Sequence, residues 1–319
     1  MINTKLILVD GLPGSGKSTI AQFIALQVEK NGIRARWFYE LEQAHPIHAF
    51  HVWSRQGPAQ FIRTITENWQ TFVAQRRAME EVSILESSIF QSTVRLLFQS
   101  DVPRHQITEY AFQIETIIAE LDPVLIYFVR TDVAHALKEI CEKRKKVWEN
   151  YLTQVIDCSE YAKHHHLQNF EGMVTFFQRY QELTTSLVSH FTMPRLTIEN
   201  PNDDWAACRQ RICRFLALPR REDPEVSEQY LAQFTGRYRD ESTRLEIRIG
   251  LNHDGLIVHD LLWPRSKLLP KTANSFYVEG CTIEIDFQED ATGNIYRMKI
   301  GGSPGWKLYG RTLVKVDEL

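Results

Sequence analysis

One stretch near the start of the sequence has the residue types and the spacing to bind phosphate groups. Residues 11–18 read Gly-Leu-Pro-Gly-Ser-Gly-Lys-Ser and fit the pattern G-x-x-x-x-G-K-[ST] at every position. Glycines let the backbone curl so that successive N–H groups point at an anion, and the helix that follows adds its positive dipole end. The sequence therefore predicts a nucleotide-binding loop formed by Gly11, Pro13, Gly14, Ser15, Gly16, Lys17, Ser18 and Thr19.

Two side chains of this loop have predicted chemical roles, and they make ATP and Mg²⁺ the expected ligands. Lys17 would reach the β and γ phosphates, and the Ser18 hydroxyl would hold the metal ion. The loop alone does not identify the reaction, because motor NTPases, GTPases and small-molecule kinases share it. Residues 1–218 contain neither an NKxD-like guanine motif nor a DxxG switch, which disfavours a GTPase.

Three glutamates lie where two predicted strands end. Phosphoryl transfer to a hydroxyl needs one carboxylate near the acceptor and another near the metal ion, at the carboxyl ends of parallel strands. Glu86 directly follows an apolar strand, and we predict that it contributes to the Mg²⁺ site. Glu40 or Glu42 would contact the acceptor, and alternation along a strand would point both to one face. The alternative is that all three are solvated residues after strands.

Other side chains are candidates for an acceptor pocket or a lid. The run Lys143–Lys146 fits a lid that closes over the transferring phosphate, or a solvated helix face. His164–His166 cannot all face one metal ion from a helix, so lining the acceptor pocket is the better hypothesis. His45 and Trp53 could contact the acceptor, although structural roles are commoner for both residue types.

The elements that would position these residues alternate between strand and helix. An apolar strand precedes the loop and an amphipathic helix with Ile20, Ile24 and Val28 follows it. Repeated alternation of this kind predicts an α/β fold, with a parallel sheet flanked by helices on both faces. The predicted strands are Lys5–Asp10, Ala35–Leu41, Val82–Leu85, Val124–Val129 and Arg195–Ile198.

The sequence pattern changes near residue 218. Residues 219–225 are polar and contain two prolines, which predicts a linker. Beyond them apolar residues alternate with polar ones, as in Leu245–Ile249, Ile283–Phe287 and Tyr296–Ile300, with turn residues between. We therefore predict a nucleotide-binding domain over residues 1–218 and a small antiparallel β domain over residues 226–319.

Composition restricts the possible partners and compartment. The 319 residues carry a net charge of −3, so there is no basic excess to predict nucleic-acid binding. No run of 18 apolar residues and no signal peptide is present, so we expect no membrane association. Five cysteines without a CxxC pair predict free thiols and a cytoplasmic protein.

Residues 1–218 resemble nucleoside and nucleotide kinases and a group of uncharacterised bacterial ATP-binding P-loop proteins. The resemblance rests on Leu6–Thr19, Trp37–Pro46 and Asp122–Asp132, and on residues 169–172 and 200–205. It implies an ATP-dependent kinase that transfers the γ-phosphate to a hydroxyl of a small molecule such as a nucleoside, sugar or antibiotic. It also implies that Arg144 is the lid arginine, while Ser87 stands where deoxynucleoside kinases have arginine.

The second domain resembles the lipocalin-like accessory β domain of serine β-lactamase-like proteins. The matching stretches are Tyr230–Tyr238, Leu268–Pro270 and Phe276. Leu261–Pro264 could be an apolar edge for a protein partner, or simply a packed strand. An alternative function follows, in which the chain is a nucleotide-dependent switch or binding protein whose β domain recognises a protein.

Overall fold

The computed structural model describes residues 3–43, 45–199, 204–224, 226–259, 261, 264–304 and 306–316. The chain divides into two compact units. The first comprises residues 1–40 and 45–220, and the second comprises residues 41–44 and 221–319. Among the sequence features discussed above, residues 200–203, Leu262 and Trp263 lie outside the described residues.

A five-stranded parallel sheet forms the centre of the first unit, in the strand order β2-β3-β1-β4-β5. Every residue of the central strand is buried, as expected for a sheet covered by helices on both faces. The strands are β1 (Leu6–Gly11), β2 (Ala35–Phe38), β3 (Val82–Glu86), β4 (Val124–Val129) and β5 (Arg195–Glu199). The five predicted strands are confirmed; three of them differ from the predicted bounds by one residue at one or both ends, and the second differs by more. The second ends at Phe38 instead of Leu41, so strand alternation does not govern Glu40 and Glu42.

Eight helices flank this sheet in the described part of the first unit. Two of them contain a break, at Gly57 (φ 76°) before Pro58 and at Lys145 (φ 69°). A short π-helical turn, Phe90–Val94, leads from β3 into the third helix. The helices are α1 (Lys17–Lys30), α2 (Phe50–Arg76), α3 (Arg95–Gln99), α4 (Arg104–Ile118), α5 (Val133–Asp157), α6 (Glu160–His164), α7 (Asn169–His190) and α8 (Trp205–Phe215).

The second unit is a closed barrel of eight antiparallel strands, which confirms the predicted antiparallel β class. Aromatic side chains in mutual contact fill its interior: Phe234, Tyr238, Phe276 and Phe287. A short helix, α9 (Glu228–Leu231), precedes the barrel. The strands are β6 (Gly236–Arg239), β7 (Glu246–Asn252), β8 (Gly255–His259), β9 (Arg265–Pro270), β10 (Ser275–Val278), β11 (Ile283–Glu289), β12 (Ile295–Gly302) and β13 (Thr312–Val316).

Two further observations concern the cysteines and the lengths of the helices. All five cysteines are free thiols, and Cys158 is the exposed one. Among the helices that the structure describes, none combines the length with the apolar character needed to cross a bilayer.

Candidate functional site

The predicted phosphate loop connects β1 to α1 and has a backbone that favours glycine at two positions. Gly14 and Gly16 have φ values of 76° and 89°, in the left-handed region that favours glycine. A Cβ atom at Gly14 would lie 2.7 Å from Ile140 Cγ1, and one at Gly16 would overlap the ring of Trp205. The amide of Ser15 donates to the Leu12 carbonyl at 3.2 Å and closes the turn.

The loop places the start of α1 where an anion can bind. The helix begins at Lys17, and the residue before it, Gly16, has no side chain to cap the first amides. Those amides and the positive helix end can therefore bind phosphate oxygens. Pro13 and Thr19 are half-buried beside them, and the Ser15 hydroxyl is buried without a hydrogen-bond partner. These features fit the phosphate groups of a nucleoside triphosphate.

Lys17 is joined to Glu40 through a glutamine that the sequence analysis missed. The Lys17 ammonium donates to the Leu12 carbonyl at 2.8 Å and to Gln91 Oε1 at 2.6 Å. Gln91 Nε2 in turn donates to both carboxylate oxygens of Glu40, at 3.0 and 3.1 Å. Burial lowers the pKa of Lys17, and the carboxylates of Glu40, Asp10 and Glu86 oppose that shift. The ammonium therefore lies in a buried, acidic environment.

Ser18 and Glu86 form the second half of the cluster. Ser18 Oγ donates to Glu86 Oε1 at 2.9 Å, while Glu86 Oε2 is buried without a partner. Burial and then the Glu40 carboxylate raise the pKa of Glu86, and the Ser18 hydrogen bond and Lys17 oppose this. Burying a carboxylate with one oxygen unpaired costs free energy, and a bound cation would offset that cost.

The oxygen donors of Ser18 and Glu86 fit Mg²⁺, which takes one or two protein oxygens and completes its shell with water and phosphate. No group of three or more His, Cys, Asp or Glu side chains in the described residues could by itself hold a metal ion.

Asp10, which the sequence analysis did not select, organises the edge of the sheet. Its carboxylate accepts the amides of Gly11 (2.9 Å), Ile89 (3.2 Å), Phe90 (2.8 Å) and Gln91 (3.3 Å). Burial raises the pKa of Asp10 to about 6, against the lowering effects of Lys17 and the amides. By fixing the start of the turn after β3, Asp10 positions Gln91. The available signal was an acidic residue at the end of a buried apolar strand.

Arg144 is near enough to Glu40 for the two charges to interact. It precedes the break in α5 at Lys145, and its guanidinium stacks on the Trp148 ring at 5.1 Å. Burial lowers the pKa of Arg144, while Tyr39 and Glu40 oppose the shift, so the guanidinium is within electrostatic reach of Glu40. The break was not predicted. It gives the helix a change of direction directly after the candidate lid arginine.

Several other candidates lie elsewhere or are already bonded. Glu42 is buried in the segment 41–44, which groups with the second unit, whereas Glu40 belongs to the first. His164 pairs with Asp101 at 2.6 Å, and His165 approaches the same carboxylate at 3.7 Å. Trp53 packs against the core, and its indole N–H donates to Ser100 Oγ at 2.9 Å.

Comparison with known proteins identifies neither a family nor a close relative, since no family model and no curated protein matches. Solved structures similar to the chain include shikimate kinase from Acinetobacter baumannii in complex with shikimate. The two sequences are 13% identical and the TM-score is 0.40, and the match covers 67% of this chain and 94% of the shikimate kinase chain. Another is deoxyadenosine kinase from M. mycoides with bound dATP, at 17% identity and a TM-score of 0.39, covering 66% and 99%. Similarity at this level assigns no function to this chain.

Proposed function

We propose that the chain is an ATP-dependent phosphotransferase that moves the γ-phosphate to a hydroxyl of a small molecule. One observation carries the proposal. At the carboxyl edge of the sheet, a lysine of the phosphate loop is joined through Gln91 to the carboxylate of Glu40, two residues after β2. Phosphate-binding and proton-accepting groups are thus one connected cluster, which is what transfer to a hydroxyl requires.

Each side chain of the cluster has a role in this proposal. Lys17 and the loop amides hold the phosphates, and Ser18 and Glu86 hold the metal ion. When bound, Mg-ATP supplies the phosphoryl group, and its metal ion stabilises the negative charge on the phosphate oxygens. Arg144 adds a positive charge near the transferring group. Glu40 orients the acceptor hydroxyl and accepts its proton.

The reaction balances with these groups alone. The acceptor oxygen forms a bond to the γ-phosphorus as the bond from that phosphorus to the bridging oxygen breaks. The hydroxyl proton passes to the Glu40 carboxylate, and ADP leaves with the electron pair of the broken bond. Positioning and charge stabilisation are the main contributions of the protein to such a step.

A phosphoryl-transfer screen tests the proposal. Radiolabelled ATP is incubated with wild-type protein and a library of hydroxyl-bearing metabolites, beside Lys17→Ala, Glu40→Gln and Glu86→Gln. Glu109→Gln, at an exposed site on α4, is the matched control. We expect at least one labelled product that Glu109→Gln still forms and that the three site variants form about 100-fold more slowly or not at all.

Two outcomes would contradict the proposal. Nucleotide binding with slow hydrolysis and no labelled product would favour a nucleotide-dependent binding protein, with the barrel as the part that recognises a partner. Full transfer by Glu86→Gln would show that the assigned metal-binding carboxylate is wrong.

A further inference from the structure

The side-chain amide of Gln91 lies between two opposite charges of the candidate site. Its Oε1 accepts from the Lys17 ammonium at 2.6 Å, and its Nε2 donates to both Glu40 carboxylate oxygens, at 3.0 and 3.1 Å. Among the described residues, this ammonium and this carboxylate form no direct ion pair with each other. Each charge therefore contacts a neutral group where an ion pair could have formed.

The chemistry of the three groups allows one orientation of this side-chain amide. An ammonium has donors and no acceptor, and a carboxylate has acceptors and no donor. The reverse orientation would place the NH₂ group against the Lys17 ammonium and the amide oxygen against the Glu40 carboxylate. Glutamine carries a donor and an acceptor side by side on an uncharged group, so it satisfies both charges without neutralising either.

The backbone of Gln91 is held on both sides, which fixes the position of its side chain. The backbone N–H donates to Asp10 Oδ1 at 3.3 Å, and the backbone carbonyl accepts from Arg95 Nε at 3.0 Å. The residue lies in the π-helical turn Phe90–Val94. Such turns are rare and occur frequently at functional sites. The fold itself therefore places the amide between the two charges.

Without that amide, the two charges would attract each other directly. Burial lowers the pKa of Lys17, and Glu40 is first among the charges that oppose this shift. Attraction between opposite charges is stronger away from water, and the stem of a lysine is flexible enough to follow it. A lysine paired with Glu40 would bind phosphate less well, and the paired glutamate would be a weaker proton acceptor.

The observed arrangement leaves both charges with capacity for a ligand. A lysine ammonium has three N–H donors. In the described part of the chain, Lys17 donates to the Leu12 carbonyl at 2.8 Å and to Gln91, so one donor remains for a phosphate oxygen. A carboxylate has about four lone-pair sites, so Glu40 can accept from the Gln91 amide and from an acceptor hydroxyl together.

We propose that Gln91 is a positioning residue, a neutral spacer that prevents Lys17 and Glu40 from pairing with each other. The spacer keeps the lysine available to the nucleotide and the glutamate available to the acceptor. This inference rests on the proposed phosphotransferase function, in which the two side chains have separate tasks. It requires an uncharged donor and acceptor at position 91, which neither an apolar nor a charged residue supplies.

A double-mutant cycle on ATP binding tests the spacer without knowledge of the acceptor. Binding of ATP with Mg²⁺ is measured by calorimetry for the wild type, Gln91→Met, Glu40→Gln and the variant with both changes. Methionine is as long as glutamine but is uncharged and at most a weak hydrogen-bond acceptor. Gln106→Met, at an exposed site on α4, is the matched control. Circular dichroism verifies that each variant is folded.

We expect Gln91→Met to weaken ATP binding about tenfold in the wild-type background and less than about twofold in the Glu40→Gln background. The reason is that the carboxylate that would capture Lys17 is absent from the second background. Gln106→Met should leave ATP binding unchanged. An equal loss in both backgrounds would show that Gln91 only supports the fold, and undiminished binding by Gln91→Met would show that no spacer is needed. Either result would overturn the proposal.

Exchanging the two residue types gives a second test in which the total charge of the site is unchanged. Gln91→Glu combined with Glu40→Gln places the carboxylate in direct contact with the Lys17 ammonium. We expect this variant to bind ATP at least about tenfold more weakly than the wild type, because the lysine is then paired. Binding equal to that of the wild type would overturn the proposal, since the position of the neutral group would then not matter.

Both tests are independent of phosphoryl transfer, so this inference and the proposed function can fail separately. If the cycle shows the expected coupling and the transfer screen finds no product, Gln91 is a spacer in a nucleotide-binding protein and the phosphotransferase proposal fails. If a product is found and the cycle shows no coupling, the phosphotransferase function stands and the spacer is refuted.

Discussion

Asp10 in the first unit and Asp240 in the barrel are both buried, and each accepts several hydrogen bonds. Their pKa values nevertheless move in opposite directions. Burial raises the pKa of Asp10 to about 6. The Ser242 hydroxyl and then the Arg311 guanidinium, which is 2.8 Å away, lower the pKa of Asp240. The barrel supplies a contacting cation for its buried charge, whereas Asp10 is bonded to main-chain amides.

A second contrast concerns buried side-chain polar atoms that have no hydrogen-bond partner. At the carboxyl edge of the sheet and beside it, Ser15 Oγ, Glu86 Oε2 and the Tyr180 hydroxyl are buried without hydrogen-bond partners. In the described part of the barrel, Arg297 Nε is the buried side-chain polar atom in that state. Native structures leave few such groups, and they concentrate where ligands bind. The difference favours the first unit as the part of the described chain that binds a ligand.

The largest expected effect compares two lysines whose pKa values burial lowers, Lys17 in the loop and Lys315 in the barrel. Lys17→Ala removes a phosphate-binding charge, so kcat/KM for ATP should fall on the order of 10²- to 10³-fold in steady-state kinetics. Lys315→Ala removes a donor to the Gln233 carbonyl and should leave that constant unchanged. An equal fall in kcat/KM for the two variants would contradict the placement of the nucleotide site in the first unit.

The pH dependence of stability should differ for the two aspartates. The pKa of Asp10 is about 6 in the folded protein and about 3.8 in the unfolded chain, so the folded state binds more protons between these values. The free energy of unfolding therefore falls as pH rises from about 4 to about 6, by up to about 3 kcal/mol from this group.

Denaturant titrations of Asp10→Asn should show the variant gaining stability relative to wild type over that pH range. The difference between Asp240→Asn and wild type should be constant above about pH 5, because a lowered pKa places its change in acid. A pH-independent difference for Asp10→Asn would contradict the burial argument.

A glycine pair separates steric overlap from backbone strain. Gly16→Ala combines a positive φ of 89° with overlap of the Trp205 ring, whereas Gly32→Ala has a φ of 78° and meets no atom within 4 Å. Gly32→Ala should lose about 1–2 kcal/mol of stability through backbone strain, and Gly16→Ala should lose more because the Trp205 ring must also move. Only Gly16→Ala should also weaken nucleotide binding, by about tenfold or more, in a fluorescence titration. Tight nucleotide binding by Gly16→Ala would show that the loop is not the binding site.

The smallest expected effect concerns two buried tyrosines. The Tyr238 hydroxyl donates to the Phe234 carbonyl at 2.8 Å, so Tyr238→Phe should cost about 1 kcal/mol of unfolding free energy. Tyr180→Phe removes a hydroxyl without a partner and should cost nothing, or stabilise the protein slightly. Thermal unfolding measures both. A loss for Tyr180→Phe as large as that for Tyr238→Phe would contradict the absence of a hydrogen-bond partner at the Tyr180 hydroxyl.

The fold class and the phosphate loop could be predicted because both depend on local sequence. The residues of the loop motif determine the local backbone of the loop. Apolar residues recur at every second position of the barrel strands because each strand buries one face. The second strand was overextended to Leu41 because Tyr39 and Leu41 continue its alternation, although the strand ends at Phe38.

The contacts of the site could not be predicted because they join distant parts of the chain. Asp10 accepts amides of residues 89–91, and this requires the parallel pairing of β1 with β3. Gln91 has no motif around it, and its role arises only when Lys17 and Glu40 are placed on either side. The break at Lys145 puts a non-glycine residue in the left-handed region, which no local signal indicated.

Calorimetric titration of ATP tests the central claim most directly, with and without Mg²⁺, on wild-type, Lys17→Ala and Lys315→Ala proteins. The account predicts one magnesium-dependent site per chain in the wild type, unchanged in Lys315→Ala and at least about tenfold weaker in Lys17→Ala. Absence of magnesium-dependent binding by the wild type, or equal affinity in Lys17→Ala, would contradict it.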